Sequence, residues 1–275
     1  MKRIDLDINS DLARKILTGF LHTEITRAGF SRAVIALSGG IDSALSCYLA
    51  AEALGAENVL AIPMPYKSSS QDALIHAQLV IDDLGLRSLT VPITDIVEPY
   101  FERFPEADNV RRGNVMARAR MIILYDQSAA FNGLVVGTSN KTEILLGYTT
   151  LYGDSACALN PIGDLYKTQV RQLARGIGVP QVIVEKPPSA DLWPGQTDEG
   201  ELGFTYEQVD QLLYLIVDER YRIEDCIDAG FNPEFVNKVI ERVRRTHFKR
   251  IMPPVAKLSN RTVGYDFLYL RDWGT

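Results

Sequence analysis

The sequence predicts an α/β fold: a doubly wound parallel sheet with helices on both faces, followed by a helical C-terminal part. The first observation is a series of short, continuous apolar runs, which are typical of strands buried on both faces of a parallel sheet. The second is that a longer segment with helical character follows most of these runs and ends at a glycine. The third is the alternation itself, which indicates βαβ units.

The elements are predicted in chain order. A helix over residues 10–29 begins at Ser10-Asp11, which suits an N-cap, and apolar residues recur in it at helical spacing, at Leu12, Ile16, Phe20 and Leu21. Strands follow at 33–37, 59–62, 89–91 and 134–136, and helices at 43–54, 71–84 and 114–131. In the last of these helices the expected core positions are Val115, Met121, Ile122, Leu124 and Tyr125. The C-terminal stretch 205–247 is predicted to be helical and polar on one face.

Composition and charge restrict the function classes. The chain has 275 residues, 46% of them hydrophobic and 23% charged, which is ordinary for a globular protein. We expect a single domain over residues 1–275. The formal net charge of −6 argues against a nucleic-acid partner, because proteins that grip nucleic acid through its phosphates usually carry a basic surface.

Cysteine usage and the N-terminal residues predict a cytoplasmic protein. The three cysteines, Cys47, Cys157 and Cys226, are far apart and form no CxxC pair, so neither a zinc site nor a disulfide framework is expected. This pattern fits a reducing compartment. Acidic residues stand near the N-terminus where a signal peptide has its apolar region, and no run of about 18 apolar residues occurs, so no membrane partner is expected.

A glycine-containing loop, Ser38-Gly39-Gly40-Ile41-Asp42-Ser43, connects the first predicted strand to its helix. Its glycines let backbone amides point into one concavity, and the N-terminus of the following helix adds positive potential, so the loop predicts a phosphate site. Asp42 would repel a phosphate unless a cation lay between them, which makes it a candidate Mg²⁺ ligand. The alternative is a tight turn in which Asp42 caps the helix. The loop lacks the lysine of a Walker loop.

A second loop, from Gly137 to Glu143, follows the fourth predicted strand. Ligands bind beyond the carboxyl ends of such strands, so Glu143 could meet Asp42 across a shared metal. The alternative is a surface turn with a capping glutamate. Lys167 stands at a later loop-to-helix entry and could supply the cation that the first loop lacks, unless it is a solvated helix lysine. The segment 111–121 is basic, and its alternative interpretation is a solvated helix face.

The first loop resembles the Ser-Gly-Gly-x-Asp-Ser loop of the ATP pyrophosphatase family, in which the loop holds pyrophosphate. An ordered set of further segments is similar to the NAD synthetase family, from about residue 31 to residue 254. These segments are Arg-Gly-Asn-x-x-Ala-Arg-x-Arg-Met at 112–121, Gly-Thr-x-x-x-x-Glu at 137–143, Tyr-Gly-Asp at 152–154, Lys-Thr-Gln at 167–169, Pro-Ser-Ala-Asp-Leu at 188–192 and Gln-Thr-Asp-Glu at 196–199.

The resemblance implies an adenine nucleotide α-hydrolase-like fold and a homodimeric, Mg²⁺-dependent ligase that uses ATP to amidate deamido-NAD. It implies Mg²⁺ ligation by Asp42 and Glu143, and catalytic roles for Asp42, Glu143 and Lys167. The ATP-binding residues that it implies are Ala36, Leu37, Ser38, Gly39, Gly40, Ile41, Asp42, Ser43, Thr138, Lys167 and Ser189. The residues that it implies for deamido-NAD are Asn114, Arg118, Asp154 and Lys249.

The chain departs from the family at the dinucleotide site. The family commonly has lysine directly before Tyr-Gly-Asp, where this chain has Leu151, and aspartate four residues after the Asp of that motif, where it has Ala158. Phe248 stands where histidine is frequent, and Ser189 stands where threonine is frequent. The departures predict either a subfamily that binds the nicotinate with other groups or a changed substrate preference.

The nitrogen source predicted is free ammonia. A glutaminase domain would need a nucleophilic cysteine and roughly 150 or more further residues, for which the chain has no room. The Pro- and Gly-rich residues 189–203, called the lid segment below, are predicted to exclude water from an acyl-adenylate intermediate.

Three other functions stay open at the level of sequence. A GMP-synthetase-like ligase would take a nucleobase and gives no reason for Arg118. A tRNA thiolation or lysidine enzyme would have a basic face and usually catalytic cysteines. A non-catalytic ATP-binding regulatory module would not need both Glu143 and Lys167.

Overall fold

The structure is a computed structural model that describes residues 4–189, 191–193 and 195–268. Two positions of the lid segment, Ala190 and Pro194, lie outside the described residues, and so do both ends of the predicted 1–275 domain. The described elements are α1 (Ser10–Arg27), β1 (Ala33–Ala36), α2 (Ile41–Leu54), β2 (Val59–Ile62), α3 (Gln71–Leu84), β3 (Arg87–Ser88), α4 (Thr94–Arg103), α5 (Asn109–Phe131), β4 (Leu134–Val135), α6 (Lys141–Leu146), α7 (Lys167–Ile177), α8 (Gln181–Val184), α9 (Asp198–Leu202), α10 (Tyr206–Val217), α11 (Ile223–Asp228) and α12 (Pro233–Arg245).

The four strands form one parallel sheet in the order β3-β2-β1-β4, which confirms the predicted sheet type. Strand β1 pairs with β2 on one side, with Ala33 opposite Val59, and with β4 on the other, with Ala33 opposite Leu134. Strands β2 and β3 therefore lie on one side of β1, and β4 lies on the other. The direction in which successive strands are added to the sheet reverses between β1 and β4. Ligands of open α/β sheets bind at such a switch point, beyond the carboxyl ends of the strands.

Apolar side chains cover both faces of the sheet. On one face, Ile35 of β1 belongs to a buried cluster with Val170 of α7. On the other face, Val34 belongs to a cluster with Val97 of α4 and Leu124 of α5. Successive strand residues point to opposite faces, and both faces of β1 are buried, so its residues form a continuous apolar run. The predicted doubly wound arrangement is confirmed.

A third buried cluster connects the C-terminal helices to the helices that follow β4. Leu146 of α6 and Tyr166, which precedes α7, pack with Tyr206 and Leu212 of α10 and with Val236 of α12. The predicted helical C-terminal part is confirmed as α10, α11 and α12. Its packing fixes the positions of α6 and α7 relative to the sheet.

The apolar residues that recur at helical spacing confirm a helix at α1, but they are not all buried. Leu21 is buried, together with Ile25, whereas Leu12, Ile16 and Phe20 are 55%, 58% and 38% exposed. Helical spacing identifies residues on one face of a helix, but it does not say which neighbouring element covers that face. Within the described part of the chain, no other element covers Leu12, Ile16 and Phe20.

Helix α5 shows the same limit. Leu124 is buried, and Val115 and Met121 are half-buried, but Ile122 is 64% and Tyr125 is 42% exposed, so those two core predictions are wrong. The helix also begins at Asn109, five residues before the predicted start, because the Asp108 side chain accepts a hydrogen bond from the Arg111 amide and caps it.

Strand β3 and helix α4 also differ from the prediction. Strand β3 is Arg87–Ser88 rather than 89–91, although the amides of Leu89 and Val91 still donate to the carbonyls of Ala61 and Pro63 at 3.1 and 2.9 Å. Helix α4 was not predicted. In the described residues, no helix combines the length and the apolar character that crossing a membrane requires.

Candidate active site

A cavity of about 670 Å³ lies at the carboxyl end of the sheet, at the switch point between β1 and β4. This volume is within the usual range for small-molecule sites. Its lining includes the loop after β1, the loop after β4, the start of α7 and much of the lid segment. The two loops that the sequence singled out therefore face one space.

The loop after β1, residues 38–43, has the backbone form that a phosphate site requires. Gly39 has φ of +75°, and a Cβ there would lie 2.1 Å from the carbonyl oxygen of Ala73, so only glycine fits. Helix α2 begins directly after Gly40, which has no side chain with which to cap the first amides. The Ser43 hydroxyl donates to the Gly40 carbonyl at 3.0 Å and lies 3.1 Å from the Ser38 hydroxyl. The amides of the first turn of α2 and the hydroxyls of Ser38 and Ser43 thus lie at the cavity.

Lys167 joins the two loops through its side chain. Its Nζ lies 2.5 Å from Oδ2 of Asp42 and 3.1 Å from Oε1 of Glu143, and only 3% of the side chain is exposed. Asp42, Glu143 and Lys167 are called the charged cluster below. The structure brings together three residues that are 101 and 24 positions apart in the chain, so Glu143 meets Asp42 and Lys167 reaches the first loop.

Asn140 orients both carboxylates of the charged cluster. Its Nδ2 donates to Oδ1 of Asp42 at 2.9 Å, which leaves Oδ2 for Lys167. Its Oδ1 accepts from the Glu143 amide at 3.0 Å, while Oε2 of Glu143 accepts from the Asn140 amide at 3.3 Å. This reciprocal capping box starts α6 and turns the other oxygen of Glu143 toward Lys167.

Burial and charge act together in the cluster. Burial alone would lower the pKa of the Lys167 ammonium, but Asp42 and Glu143 outweigh it and hold the pKa above its usual range. Burial raises the pKa of Glu143, against the opposing effect of Lys167. Asp198 of α9 lies within electrostatic reach of both groups, and burial raises its pKa too. Asp42 and Asp198 add to the raised pKa of Glu143, so three acidic groups crowd around one ammonium, and a bound cation would relieve their repulsion.

The donor set fits Mg²⁺. The described residues hold no group of three or more His, Cys, Asp or Glu side chains that could bind a metal by themselves. Mg²⁺ in nucleotide sites is usually held by one or two carboxylates together with substrate phosphates. Asp42 and Glu143 supply two carboxylates beside a phosphate-type loop, and they already converge on a cation.

Hydrogen bonds form within the lid segment and between it and neighbouring parts of the chain. Within the segment, the Ser189 hydroxyl donates to the carbonyl of Gln196 at 2.7 Å, and toward α3, Oδ2 of Asp191 accepts from the Ser70 amide at 3.0 Å. The Tyr206 hydroxyl donates to Oδ2 of Asp198 at 3.0 Å, while Oδ1 of Asp198 is buried with no hydrogen-bond partner in the described residues. These bonds place the segment along the cavity, which suits the predicted lid.

Comparison with known proteins identifies the family. The family model described as NAD synthase matches residues 14–253, which is most of the chain. The chain belongs to this family. A curated relative from Trichlorobacter lovleyi named NH(3)-dependent NAD(+) synthetase is 58% identical over 269 residues, covering 98% of each chain.

Solved structures of NAD synthase relatives agree with the fold. The NMN synthetase from Francisella tularensis has a TM-score of 0.81 at 30% identity and covers 92% of this chain and 100% of its own. The NH3-dependent NAD synthetase from Campylobacter jejuni has a TM-score of 0.78 at 31% identity, with coverage of 91% and 100%. The family resemblance drawn from the sequence motifs is confirmed.

Most residues predicted for the site line the cavity. Gly39 does not, but it shapes the loop whose other members do. Thr138, Lys167 and Ser189, predicted for ATP, are all among the lining residues. Their contacts with ATP stay predictions.

The residues predicted for deamido-NAD gather around the turn at 147–154. The Lys249 ammonium donates to the carbonyls of Gly147 and Thr149 at 2.9 and 2.6 Å, and Oδ1 of Asp154 accepts from the Thr150 amide at 2.7 Å. Oδ1 of Asn114 accepts from the Thr150 hydroxyl at 2.8 Å. All three residues that carry these side chains line the cavity.

Arg118 is the one predicted substrate residue that the structure does not bring to the cavity. Its guanidinium donates to the carbonyl of Leu151 at 3.2 and 3.3 Å and is exposed. Arg120, two positions later, lines the cavity instead and donates to the Met64 carbonyl at 3.0 Å. A role of Arg118 in substrate binding stays a prediction.

Two residues of the site were missed by sequence reasoning. Asn140 lies within the motif at 137–143, and the pattern Asn followed by Glu three residues later is a capping-box signal from which its role could be predicted. Asp198 lies within the motif at 196–199. No local pattern indicates that it faces Lys167, because that proximity arises from the packing of α9 and α10.

Proposed function

We propose that this chain is a ligase that amidates deamido-NAD with ammonia, splitting ATP to AMP and pyrophosphate through an acyl-adenylate. The observation that carries the proposal is the position of Lys167 Nζ, which lies between Asp42 and Glu143 in the cavity that the loop after β1 lines. Relatives at 58% and 55% identity over nearly the whole chain are named NH(3)-dependent NAD(+) synthetase, which supports the same activity.

In the first step the nicotinate carboxylate attacks the α-phosphorus of ATP and pyrophosphate leaves. The amides at the start of α2, with the hydroxyls of Ser38 and Ser43, hold the leaving phosphates. Lys167 keeps its proton and supplies positive charge where negative charge develops. Asn140 holds the Asp42 carboxylate in place throughout.

We propose that Asp42 and Glu143 hold Mg²⁺ together with the ATP phosphates. When bound, the ion supplies Lewis-acid stabilisation of the phosphate charge. The carboxylates bring the charge that keeps the ion, and Asn140 and Lys167 fix the orientation of their oxygens.

In the second step ammonia attacks the acyl carbon of the adenylate, and AMP leaves. Water would compete for the same carbon, so the lid segment has to exclude it. Its bonds to the Ser70 amide and to Tyr206 support such a cover. If residues 189–203 were replaced by a short linker, AMP release without NAD formation should rise, and an unchanged ratio of AMP to NAD would contradict this role.

We further propose a single synthetase domain over residues 1–275 that uses free ammonia. The relative from Trichlorobacter lovleyi is named NH(3)-dependent, and the match covers 98% of both chains, which supports this organisation. A cytoplasmic location is proposed from the acidic, disulfide-free sequence.

We propose that the chain forms a homodimer. The support is the set of large apolar side chains that no described element covers: Leu12, Ile16 and Phe20 on α1, and Ile122 and Tyr125 on α5. Exposed apolar groups of this size are typical of protein–protein contacts.

A changed substrate is the second candidate, favoured by Leu151 and Ala158. Both replace charged residues that the family commonly carries near the dinucleotide, and one solved relative of the same fold is described as NMN synthetase. The candidate predicts that nicotinate mononucleotide competes with deamido-NAD as the acid that is activated.

The test is steady-state release of AMP by the purified chain with ATP and Mg²⁺. We expect release that requires both ammonium and deamido-NAD and that glutamine does not support. Higher kcat/KM with nicotinate mononucleotide would select the second candidate. AMP release with xanthosine monophosphate, with tRNA, or with no acceptor would contradict both.

A further inference from the structure

The first two amides of α7, the helix that carries Lys167, bind acceptors on other helices. The first amides of a helix have no partner in the backbone of the helix itself. Gln169 of α7 accepts the amide of the N-cap residue Tyr166 at 2.9 Å, but it does not accept the amides of Lys167 or Thr168. Lys167 is the first residue of the helix, so whatever accepts these amides also fixes the backbone from which the catalytic lysine extends.

The missing acceptors come from two other helices. The Lys167 amide donates to the Thr142 hydroxyl of α6 at 3.0 Å, and the Thr168 amide donates to Oδ2 of Asp210 on α10 at 2.8 Å. The Thr142 hydroxyl itself donates to Oδ1 of Asp210 at 2.6 Å. One carboxylate thus binds the first turn of α6 and the first turn of α7 at once.

The residues that Asp210 holds are direct neighbours of the charged cluster. Thr142 precedes Glu143 in α6, and Thr168 follows Lys167 in α7. Asp210 and Thr142 are both 0% exposed, and Asp210 is not among the residues that line the cavity. Asp210 therefore acts on the cluster through backbone position and not through contact with substrate.

Isolating a carboxylate from water is costly unless its hydrogen bonds are well made. Burial raises the pKa of Asp210 to about 6, against the opposing effect of the Thr142 hydroxyl. An apolar residue at this position would pack α10 without that cost. The position of the acid, facing two helix starts that carry active-site groups, explains why a carboxylate is present.

We propose that Asp210 is a positioning residue, which through Thr142 and the Thr168 amide sets the distance between Lys167 and Glu143. This inference rests on the proposed function. A shift of about 1 Å in a catalytic group can cost about 100-fold in rate. The Lys167 ammonium contacts its two carboxylates at 2.5 and 3.1 Å, so a shift of that size breaks the contacts.

The experiment compares Thr142→Val, Thr142→Ser and Asp210→Asn with the unchanged chain. Valine keeps the shape of threonine and removes the hydroxyl, whereas serine keeps the hydroxyl. We expect Thr142→Val and Asp210→Asn to lower kcat by about 10- to 100-fold, with KM for deamido-NAD changed by less than about threefold. Thr142→Ser should retain kcat within about threefold. The double variant Thr142→Val/Asp210→Asn should have a kcat no lower than that of the slower of its two single variants.

Tyr48→Phe is the matched control. It removes another hydroxyl-to-carboxylate hydrogen bond, between Tyr48 and Asp83, and Tyr48 does not line the cavity. It should lower Tm while kcat per folded molecule stays unchanged. The same result for Thr142→Val would show that the hydroxyl is merely structural and would overturn the inference.

The outcomes separate this inference from the proposed function. If the unchanged chain releases no AMP in response to deamido-NAD, the proposed function fails. If it does, and Thr142→Val and Thr142→Ser have equal kcat, the positioning role fails while the function stands. If Asp210→Asn does not fold, the comparison of Thr142→Val with Thr142→Ser alone decides whether the positioning role holds.

Discussion

The phosphate loop (residues 38–43) and the charged cluster meet in one cavity, but they are built in opposite ways. The loop is a local structure, formed by six consecutive residues that follow β1 and include the first residues of α2, and it depends on the backbone angle of Gly39. The cluster combines Asp42 with Glu143 of α6 and Lys167 of α7, which reach each other only because the helices are packed. Asp42 is the one residue that belongs to both.

The difference predicts different sensitivities. A site made of backbone amides tolerates changes in side chains but not a change at the glycine that shapes it. A site made of side chains from separate helices depends on single charged groups and on the bonds that position their helices. Substitutions in the phosphate loop and in the charged cluster test this contrast. The expected loss of activity is largest for the charged cluster and smallest for residues at the surface.

The largest effect is expected for Lys167→Met. It removes the cation between Asp42 and Glu143, and removal of one preorganised charge at a developing anion costs about 100- to 1,000-fold in kcat. The measurement is kcat for AMP release. Lys15→Met, at an exposed position of α1, is the control and should have unchanged kcat. Equal activity of the two variants would refute the role of Lys167.

Gly39→Ala should be next and should act through ATP binding. The added Cβ would lie 2.1 Å from the Ala73 carbonyl oxygen, so the loop must move. Overpacking costs about 1–3 kcal/mol, which corresponds to an increase of about 5- to 150-fold in KM for ATP. Gly29→Ala is a close control, because Gly29 also has a positive φ, of +84°, but has nothing within 4 Å of an added Cβ. It should lower Tm without raising KM, and a similar KM for both variants would show that the loop shape is irrelevant.

Asn140→Ser should have a smaller effect. Serine is also a good N-cap, so α6 should persist, but the donor to Asp42 is lost. One hydrogen bond to a charged group contributes about 1.5 kcal/mol, so we expect kcat to fall roughly tenfold. Asn232→Ser, at the exposed N-cap of α12, provides the control. If Asn140→Ser left kcat unaltered, as Asn232→Ser should, the hydrogen bond from Asn140 to Asp42 would not contribute to catalysis.

The smallest effect on the site is expected for Ile16→Gln and Ile122→Gln on the exposed faces of α1 and α5. Surface changes usually alter stability by less than about 0.5 kcal/mol, so the folded chain should be retained. Sedimentation velocity should show a dimer for the unchanged chain and weaker association for at least one variant. An unchanged chain that sediments as a monomer at every concentration would contradict the proposed homodimer.

The same contrast explains how far the sequence could predict the structure. The loop at 38–43 was predictable because its chemistry depends on neighbouring residues. Strand β3 was misplaced because Arg87 and Ser88 are exposed and form no apolar run. The exposed stripe of α1 could not be recognised, because exposure depends on elements that are distant in the chain. The interaction of Asp210 with Thr142 joins residues 68 positions apart, and no local pattern indicates it.

The central claim is that Lys167, delivered by α7, supplies the cation that the phosphate loop lacks. The most direct test is a crystal structure of the chain with Mg²⁺ and an ATP analogue that resists cleavage between the α and β phosphates. We expect the β-phosphate between the amides of residues 39–43 and Lys167 Nζ, with the metal in contact with Asp42 and Glu143. A phosphate bound without contact to Lys167, or a metal bound away from both carboxylates, would contradict it.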